Sequence, residues 1–213
     1  MIFMDGKNIP IVGAVELIPQ SINPFSDLEA GVYANNVGKV ILKDAIFPTL
    51  LPIADSWIYS VSPDMNDGAN GVIRTQQPDI RSVLNFDLSS IVSCSQAILE
   101  LDVQSFTGTP SILAFHLSTG PFVESEVTWN NRDVGNTWSS AGGDFGAQVS
   151  ASAVNIVGTG KVQLDITTYV TDVLGSTPNR GIILRDVNVG NLVVYYSKEE
   201  AVVDRRPKLI VKP

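Results

Sequence analysis

Within residues 98–106, ILELDVQSF, apolar and polar side chains alternate from Leu99 to Gln104. Successive side chains of a β-strand point to opposite faces, so this pattern predicts a strand with one face in a core. The inward set is Leu99, Leu101 and Val103, and the outward set is Glu100, Asp102 and Gln104. This strand sets the fold class that the rest of the chain has to match.

Similar strand patterns recur on both sides of this stretch. Residues 162–166 place Val162, Leu164 and Ile166 on one side, and residues 54–61 separate Trp57, Tyr59 and Val61 from Ser56, Ile58 and Ser60. Shorter β-rich runs occur at 181–187, 191–197 and 208–212, with Gly, Asn and Pro turn signals such as residues 66–68 between runs. Many short strands of this kind predict an all-β fold, an antiparallel jelly-roll β-sandwich.

One segment has helical spacing instead. In DITTYVTDVLG, residues 165–175, the apolar positions are Ile166, Tyr169, Val170, Val173 and Leu174. This spacing predicts a single short helix over 167–174 that closes one end of the sandwich. Thr167 or Thr168 is the expected N-cap, and Gly175 is the expected C-terminal stop.

Residues 1–51 differ from residues 52–213, and we expect them to form an extended, proline-rich arm. GVYANNVGKVILKD, residues 31–44, predicts a hairpin that turns at Asn35-Asn36. The other apolar residues of the arm need a partner surface, either on the same chain or on a neighbour. They are Ile2, Phe3, Ile9, Ile11, Val12, Leu17, Ile18 and Phe25.

Composition excludes several functions. The chain has 213 residues and a formal net charge of −8, which argues against binding to nucleic acid or to an anionic membrane. The single cysteine, Cys94, can form no internal disulfide, and nothing marks it and the single histidine, His116, as a nucleophilic pair. No GxSxG motif is present, and the first twenty residues resemble neither a signal peptide nor a membrane span.

The stretch FVESEVTWNNR, residues 122–132, holds two glutamates, a tryptophan, two asparagines and an arginine within eleven positions. One interpretation is a structural corner in which Trp129 is a buried plane and Asn130 and Asn131 bind the backbone. Arg132 would then clamp the carboxylate of Glu124 or Glu126. The rival interpretation makes Glu124 and Glu126 a catalytic pair, because carboxylates at i and i+2 on a strand lie roughly 7 Å apart. Both would sit on one strand, however, rather than on opposite sides of a glycosidic bond.

Residues 52–213 resemble the DNRLRE domain family. The resemblance rests on the order of ADSWIYSV, RSVLNFDLSSI, ESEVTWNNR, VQLDITTYVTDVL and RPKLIV. It implies a jelly-roll module of the kind found on bacterial surface proteins and some phage proteins, some of which are similar to carbohydrate-binding modules. It also implies that residues 122–132 are framework rather than catalytic, so we expect no enzyme activity.

Two ligand hypotheses remain open beside this framework interpretation. A glycan site would need an exposed aromatic platform, and Trp138 with Asp144 in the Gly-rich segment WSSAGGDFG is the leading candidate, ahead of Trp57, Tyr195 and Tyr196. A structural calcium ion could be held by hard oxygen ligands near the Gly68 turn. Those ligands would be Asp55, Asp64, Asn66 and Asp67. An ordinary turn rich in Asp and Asn explains the same cluster.

For the biological role, the arm and the absence of a recognisable leader favour a phage virion protein over a secreted module. We expect a capsid decoration (cement) protein that attaches through residues 1–51 to the major capsid protein or to other virion subunits. It would form a homo-oligomer, for example a trimer. The alternatives are a carbohydrate-binding module or adhesin domain that binds a surface glycan, and a tail or head-fibre component.

Overall fold

The computed structural model describes residues 2–4, 7–9, 32–34, 40–42 and 47–213, with side chains from residue 47 onward. The chain forms two compact units, Met1–Ile46 and Phe47–Pro213. In the smaller unit β1 (Ile2–Met4) pairs with β2 (Lys7–Ile9), and β3 (Val32–Ala34) pairs with β4 (Val40–Leu42).

The β3–β4 ladder is the hairpin predicted around Asn35-Asn36, whereas the β1–β2 ladder was not predicted. The apolar side chains proposed as an assembly surface, from Ile2 to Phe25, lie outside the described residues.

The larger unit is built almost entirely from strands. They are β5 (Thr49–Leu50), β6 (Pro52–Tyr59), β7 (Val72–Gln76), β8 (Ile80–Phe86), β9 (Gln96–Phe106), β10 (Ser111–Leu117), β11 (Asn131–Asp133), β12 (Asn136–Thr137), β13 (Phe145–Gln148), β14 (Val154–Asn155), β15 (Gly160–Asp165), β16 (Ile182–Asp186), β17 (Leu192–Tyr196) and β18 (Lys208–Lys212). The helical segments are α1 (Thr167–Leu174) and a 3-10 turn, Val203–Arg205. No helix among the described residues combines the length and hydrophobicity needed to span a membrane.

The strands form two layers. The first layer has the order β6–β8–β16–β10, with β13 and β14 pairing to β10. The second runs β7–β17–β9, and β9 also pairs with β15 and β18. A single ladder pair, Gln76 with Ile80, joins the layers through the β7–β8 connection, and the named ladders are antiparallel. The predicted all-β sandwich is therefore confirmed.

Residues 47–51 lie in the sheet of the larger unit, although the sequence placed them in the arm. Strand β5 pairs with β18, with Leu50 opposite Leu209 and Thr49 opposite Ile210. The amide of Val211 also donates to the carbonyl of Pro48. These backbone hydrogen bonds give residues 47–51 a fixed place at the end of the second layer.

The main core lies between the layers and contains the predicted inward set. Leu99 and Leu101 are fully buried and Val103 is 1% exposed, while the alternate residues of β9 are half-buried or exposed. Leu164 and Ile166 join the same core, and Val162 packs against it half-buried. The alternation of apolar residues in β9 and β15 thus determines which face of each strand is buried.

A second core lies on the other face of the first layer. Ile58, Val83 and Ile183 each follow or precede a main-core residue on their strands, so their side chains point away from the inter-layer space. All three are fully buried. Strand β6 therefore buries both faces, which the sequence did not predict. Val61, grouped with Trp57 and Tyr59 from the alternation, lies beyond the strand and is 68% exposed.

Helix α1 occupies the predicted residues, but its N-terminus is capped differently from the expectation. Ile166 is the N-cap residue and makes no side-chain cap, so the prediction of Thr167 or Thr168 was wrong. Instead Asp165 Oδ1 accepts hydrogen bonds from the amide of Thr167 (3.0 Å) and from its hydroxyl (2.6 Å). Gly175 ends the helix as predicted, and Tyr169 and Val170 are buried.

The main core yields a stability prediction. Leu101→Ala should lower the free energy of unfolding by about 3 kcal/mol, because it removes buried methyl groups and leaves a cavity. Val157→Ala, at a side chain that is 90% exposed, should change it by less than about 0.5 kcal/mol. Urea denaturation of both variants is the measurement, and equal effects would contradict the assignment of the core.

Candidate functional site

A long connection between β10 and β13, residues 118–144, covers the second core, and we call it the covering loop. Phe122, Val127 and Trp138 from this loop are buried against the first layer. The indole N–H of Trp138 donates to the carbonyl of Thr128 at 3.0 Å. Packing against the apolar outer face of the first layer thus holds the covering loop in place.

The residues predicted as framework lie in the middle of the covering loop, where the side chain of Asn130 binds another side chain and not the backbone as expected. Asn130 donates through its amide to the carbonyl of Pro63 (3.1 Å) and through Nδ2 to Asp64 Oδ1 (2.8 Å). The amide of Asn131 donates to the hydroxyl of Thr128. Trp129 is half-buried and lies beside the guanidinium of Arg81, 4.9 Å from its ring centroid.

The expected ion pair of Arg132 with Glu124 or Glu126 was wrong. Arg132 Nε instead lies 3.5 Å from a carboxylate oxygen of Asp133. Residues 124–126 form a turn rather than a strand, so the i and i+2 geometry invoked for a catalytic pair does not exist. Glu126 accepts the amide of Val134 at 2.8 Å, which fixes it to the backbone of the loop.

Glu124 meets two other carboxylates at the edge of the sandwich. Oxygen atoms of Asp55, Glu124 and Glu199 all lie within 4.8 Å of one another. Asp55 is on β6, Glu124 is in the covering loop, and Glu199 follows β17. We call these three residues the carboxylate cluster. Glu199 was not predicted from the sequence, because β6, the covering loop and the end of β17 come together only in the folded chain.

Hydrogen bonds and one lysine hold the cluster in place. The amide of Asp55 donates to Glu124 Oε1, and the amide of Lys198 donates to Asp55 Oδ2, both at 2.8 Å. Lys198 Nζ lies 3.0 Å from Glu124 Oε2 and 2.7 Å from Glu199 Oε1. Burial, and to a smaller extent the negative charges of Glu199 and Glu124, raises the pKa of Asp55 to about 8.

Only one of the four expected calcium ligands, Asp55, belongs to this cluster. Asp64 accepts a hydrogen bond from Asn130 Nδ2, and Asp67 Oδ1 accepts one from Asn70 Nδ2. Asn66 uses Nδ2 to bind the carbonyls of Glu124 (2.7 Å) and Val127 (2.8 Å). The turn at Asn66 therefore anchors the covering loop, and the structure does not gather the four expected residues around one point.

The expectation of an exposed glycan platform at Trp138 was also wrong. Trp138 is only 4% exposed because it fills the second core. Asp144 is 9% exposed and accepts the amides of Ser139 and Ser140 and the hydroxyl of Thr119. These hydrogen bonds lower the pKa of Asp144. Asp144 thus closes a turn of the covering loop.

The other aromatic candidates differ in exposure. Trp57 is 5% exposed and Tyr195 is fully buried, so both belong to the main core. Tyr196 is half-buried, and the guanidinium of Arg205 lies 5.0 Å from its ring centroid. Trp57 and Tyr195 therefore present no ring face to solvent.

A cluster of arginine and aromatic side chains lies on the outer face of the first layer, where Trp129 of the covering loop meets side chains of the sheet. The guanidinium of Arg185 lies 4.1 Å from the ring centroid of Phe145 and 5.7 Å from that of Phe115. The guanidinium of Arg81 lies 5.4 Å from the ring of Phe145 as well as beside Trp129. Phe145 is 37% exposed, and the other four are half-buried. We call these five residues the arginine face.

The sheet places the two arginines side by side. The β8–β16 ladder pairs Ser82 with Leu184, so Arg81 and Arg185 are the next opposed positions in the same register. No carboxylate of residues 47–213 forms an ion pair with either guanidinium. Burial, and then the charge of Arg185, lowers the pKa of Arg81 to about 10, and burial lowers the pKa of Arg185. Like charges placed together without a counterion are costly.

The two arginines make few hydrogen bonds to the protein. Arg81 donates to the carbonyl of Gly142, and Arg185 reaches Gln77 Oε1 only at 3.5 Å. The Nε–H groups of both are buried without a hydrogen-bond partner in the described structure. The sequence carried a weak signal for this face, since each arginine lies in a strand made mostly of buried residues, IRSVLNF or IILRD, where arginine is unusual.

The two side chains considered for nucleophilic catalysis, His116 and Cys94, contact other parts of the fold and not each other. His116 Nε2 lies 2.9 Å from Asp172 Oδ2, a carboxylate on α1. Cys94 packs half-buried against the main core, and burial together with the charge of Asp165 raises the pKa of its thiol. A raised thiol pKa lowers the fraction of reactive thiolate at neutral pH.

The fold is that of an antiparallel β-sandwich module. The model of carbohydrate-binding module family 96 matches residues 47–213, so the chain belongs to that family. The match confirms the resemblance to carbohydrate-binding modules, although the family carries a different name from the DNRLRE domain. No curated protein matches the sequence.

Asp55 gives a pH prediction for the chain in buffer that contains a chelator. The folded protein keeps a proton on Asp55 up to about pH 8, whereas the unfolded chain releases it near pH 4. Stability contributed by this group is therefore complete below pH 4 and is lost as the pH rises towards 8, by at most about 1.4 kcal/mol per pH unit. Asp55→Asn should remove this contribution.

Urea denaturation at several pH values measures the effect as the difference between wild type and variant. Glu200→Gln, which changes a carboxylate outside the cluster, should retain the wild-type pH dependence. Parallel curves for wild type and Asp55→Asn would show that Asp55 titrates in the folded protein as it does in the unfolded chain.

Proposed function

We propose that residues 47–213 bind an acidic saccharide through the arginine face and catalyse no reaction. The observation that carries the proposal is the adjacent pair of guanidiniums, Arg81 and Arg185, set among aromatic rings with no carboxylate partner in the described part of the chain. Membership of a carbohydrate-binding module family supports the ligand class.

The two types of side chain supply complementary contacts. The ring of Phe145 is the exposed aromatic surface on which the C–H face of a sugar can pack. A guanidinium offers paired N–H donors that match a carboxylate, and it is more weakly hydrated than an ammonium group. An acidic sugar therefore supplies the negative charge that the two guanidiniums lack among the described residues.

The overall charge of the chain limits how such a ligand binds. The formal net charge is −8, so an anionic polymer is repelled by most of the surface. Attraction must come from the local pair of arginines at short range. We therefore expect binding to weaken with added salt, but with the shallow dependence of a few ionic contacts.

The absence of catalysis follows from the partners of the acidic side chains. Glu124 is bound by the amide of Asp55 and by Lys198, and Glu126 by the amide of Val134. The side chains of the arginine face include no carboxylate that could act as acid or base on a bound sugar. A binding module needs neither a catalytic acid nor a catalytic base.

The virion role remains a separate prediction. It depends on the apolar side chains of residues 1–46, which lie outside the described residues, and neither the described structure nor the family match favours capsid decoration over a glycan-binding role. Mass spectrometry of purified particles is the measurement for it.

Isothermal titration calorimetry tests the proposed ligand class. The titrants are oligouronates of several epimers and, for each, the neutral oligosaccharide of the same length and linkage. At least one oligouronate should bind at least ten-fold more tightly than its neutral counterpart. Arg185→Gln and Phe145→Ala should each weaken this binding at least ten-fold, because each removes a direct contact at a partly exposed position.

Arg205→Gln is the matched control. Arg205 also lies against an aromatic ring, that of Tyr196, but it lies outside the arginine face, so its loss should leave the affinity unchanged. Equal affinity for acidic and neutral sugars would contradict the role of the charges. Unchanged affinity in Arg185→Gln and Phe145→Ala would contradict the location.

A further inference from the structure

We propose that the carboxylate cluster of Asp55, Glu124 and Glu199 binds a calcium ion that ties the covering loop to the edge of the sandwich. The site lies apart from the arginine face, and the inference stands independently of the proposed saccharide. It rests on the spacing of the oxygens and on which of them lack a partner.

The spacing matches a shared ion. Calcium is bound by oxygens at about 2.3–2.6 Å, so two of its ligands lie no more than about 5 Å apart. The three carboxylates each place an oxygen within 4.8 Å of the other two. This spacing lies within the limit that one central cation sets.

Unpartnered oxygens supply the second observation. Asp55 is 1% exposed, yet its Oδ1 has no hydrogen-bond partner within the described structure. Glu199 Oε2 is likewise a buried oxygen atom without a partner there. A buried carboxylate oxygen that accepts no hydrogen bond is costly, and a cation removes that cost.

The other oxygens of the same groups are held by the protein. Asp55 Oδ2 accepts the amide of Lys198, and Glu199 Oε1 pairs with Lys198 Nζ. Each of these carboxylates therefore has one oxygen that fixes its orientation and one that is free to bind an ion. Glu124 accepts the amide of Asp55 on Oε1 and offers Oε2, which it shares with Lys198.

The donor set selects the kind of cation. Carboxylate oxygens without nitrogen or sulfur favour a hard ion over zinc. Magnesium requires near-octahedral ligands at about 2.0–2.1 Å, whereas calcium accepts irregular carboxylate arrangements. Lys198 supplies one positive charge against the carboxylates of Glu124 and Glu199, so the cluster keeps negative charge, and a bound divalent ion would displace the proton of Asp55 to gain a third carboxylate.

The ligands come from segments distant in sequence. Asp55 lies on β6, Glu124 is in the covering loop, and Glu199 follows β17 in the other layer. An ion at this point cross-links both layers and the loop that carries Trp129. We therefore expect calcium to raise the melting temperature, because an ion that binds only the folded state stabilises it.

The test uses the full chain stripped with EDTA, dialysed, and titrated with CaCl2 by calorimetry and by thermal melting. One calcium ion per chain should bind, and the melting temperature should rise with calcium concentration. Glu199→Gln should weaken calcium binding at least ten-fold and remove most of the thermal shift. Glu200→Gln is the control, because it changes the next carboxylate in sequence and should behave as wild type.

Asp55→Asn provides a second variant that should lose the ion. Should it fail to fold, Glu199→Gln decides the question, because Glu199 is only half-buried and its loss leaves the strand cores intact. No binding to wild type at millimolar calcium, or equal binding by Glu199→Gln, would overturn the proposal. An equal thermal shift with MgCl2 would overturn the choice of calcium.

Discussion

The architecture depends on one constraint: the first layer of the sandwich has apolar side chains on both faces. Ile58, Val83 and Ile183 point away from the main core, and leaving them in water would cost roughly 2 kcal/mol each. The covering loop removes them from solvent with Phe122, Val127 and Trp138. Its position then fixes the surroundings of both functional features, the carboxylate cluster at one edge and the arginine face, to which the loop contributes Trp129.

The covering loop also accounts for a difference between two regions of the outer face of the first layer. Under the loop, the polar atoms find partners, as Trp138 does with the carbonyl of Thr128. At the margin of the loop, Arg81 and Arg185 occupy opposed positions on the same outer face of the sheet but have aromatic rings as neighbours instead of carboxylates. Gly142 allows the close approach there, because a side chain at its backbone φ of +93° would collide with Trp129 and with Arg81.

The sequence predicted the fold well because strand alternation is a local property. The buried faces of β9 and β15, helix α1 and its end at Gly175 follow from patterns within about ten residues. The functional residues do not. Trp138 looked like a loop platform because glycines surround it, but the apolar outer face of a distant layer buries it. The carboxylate cluster forms only when β6, the covering loop and the end of β17 come together in the folded chain. The spacing of its three residues in the sequence does not predict this.

Ligand-induced chemical shifts in NMR spectra test the central claim, saccharide binding at the arginine face, most directly. On titration with an oligouronate, the largest shifts should fall on the side-chain Nε–H signals of Arg81 and Arg185 and on the backbone amides of Gly142 and Phe145. The amides around Trp138 and Tyr196 should move little. Shifts concentrated at those residues, with the two arginine signals unchanged, would contradict the account.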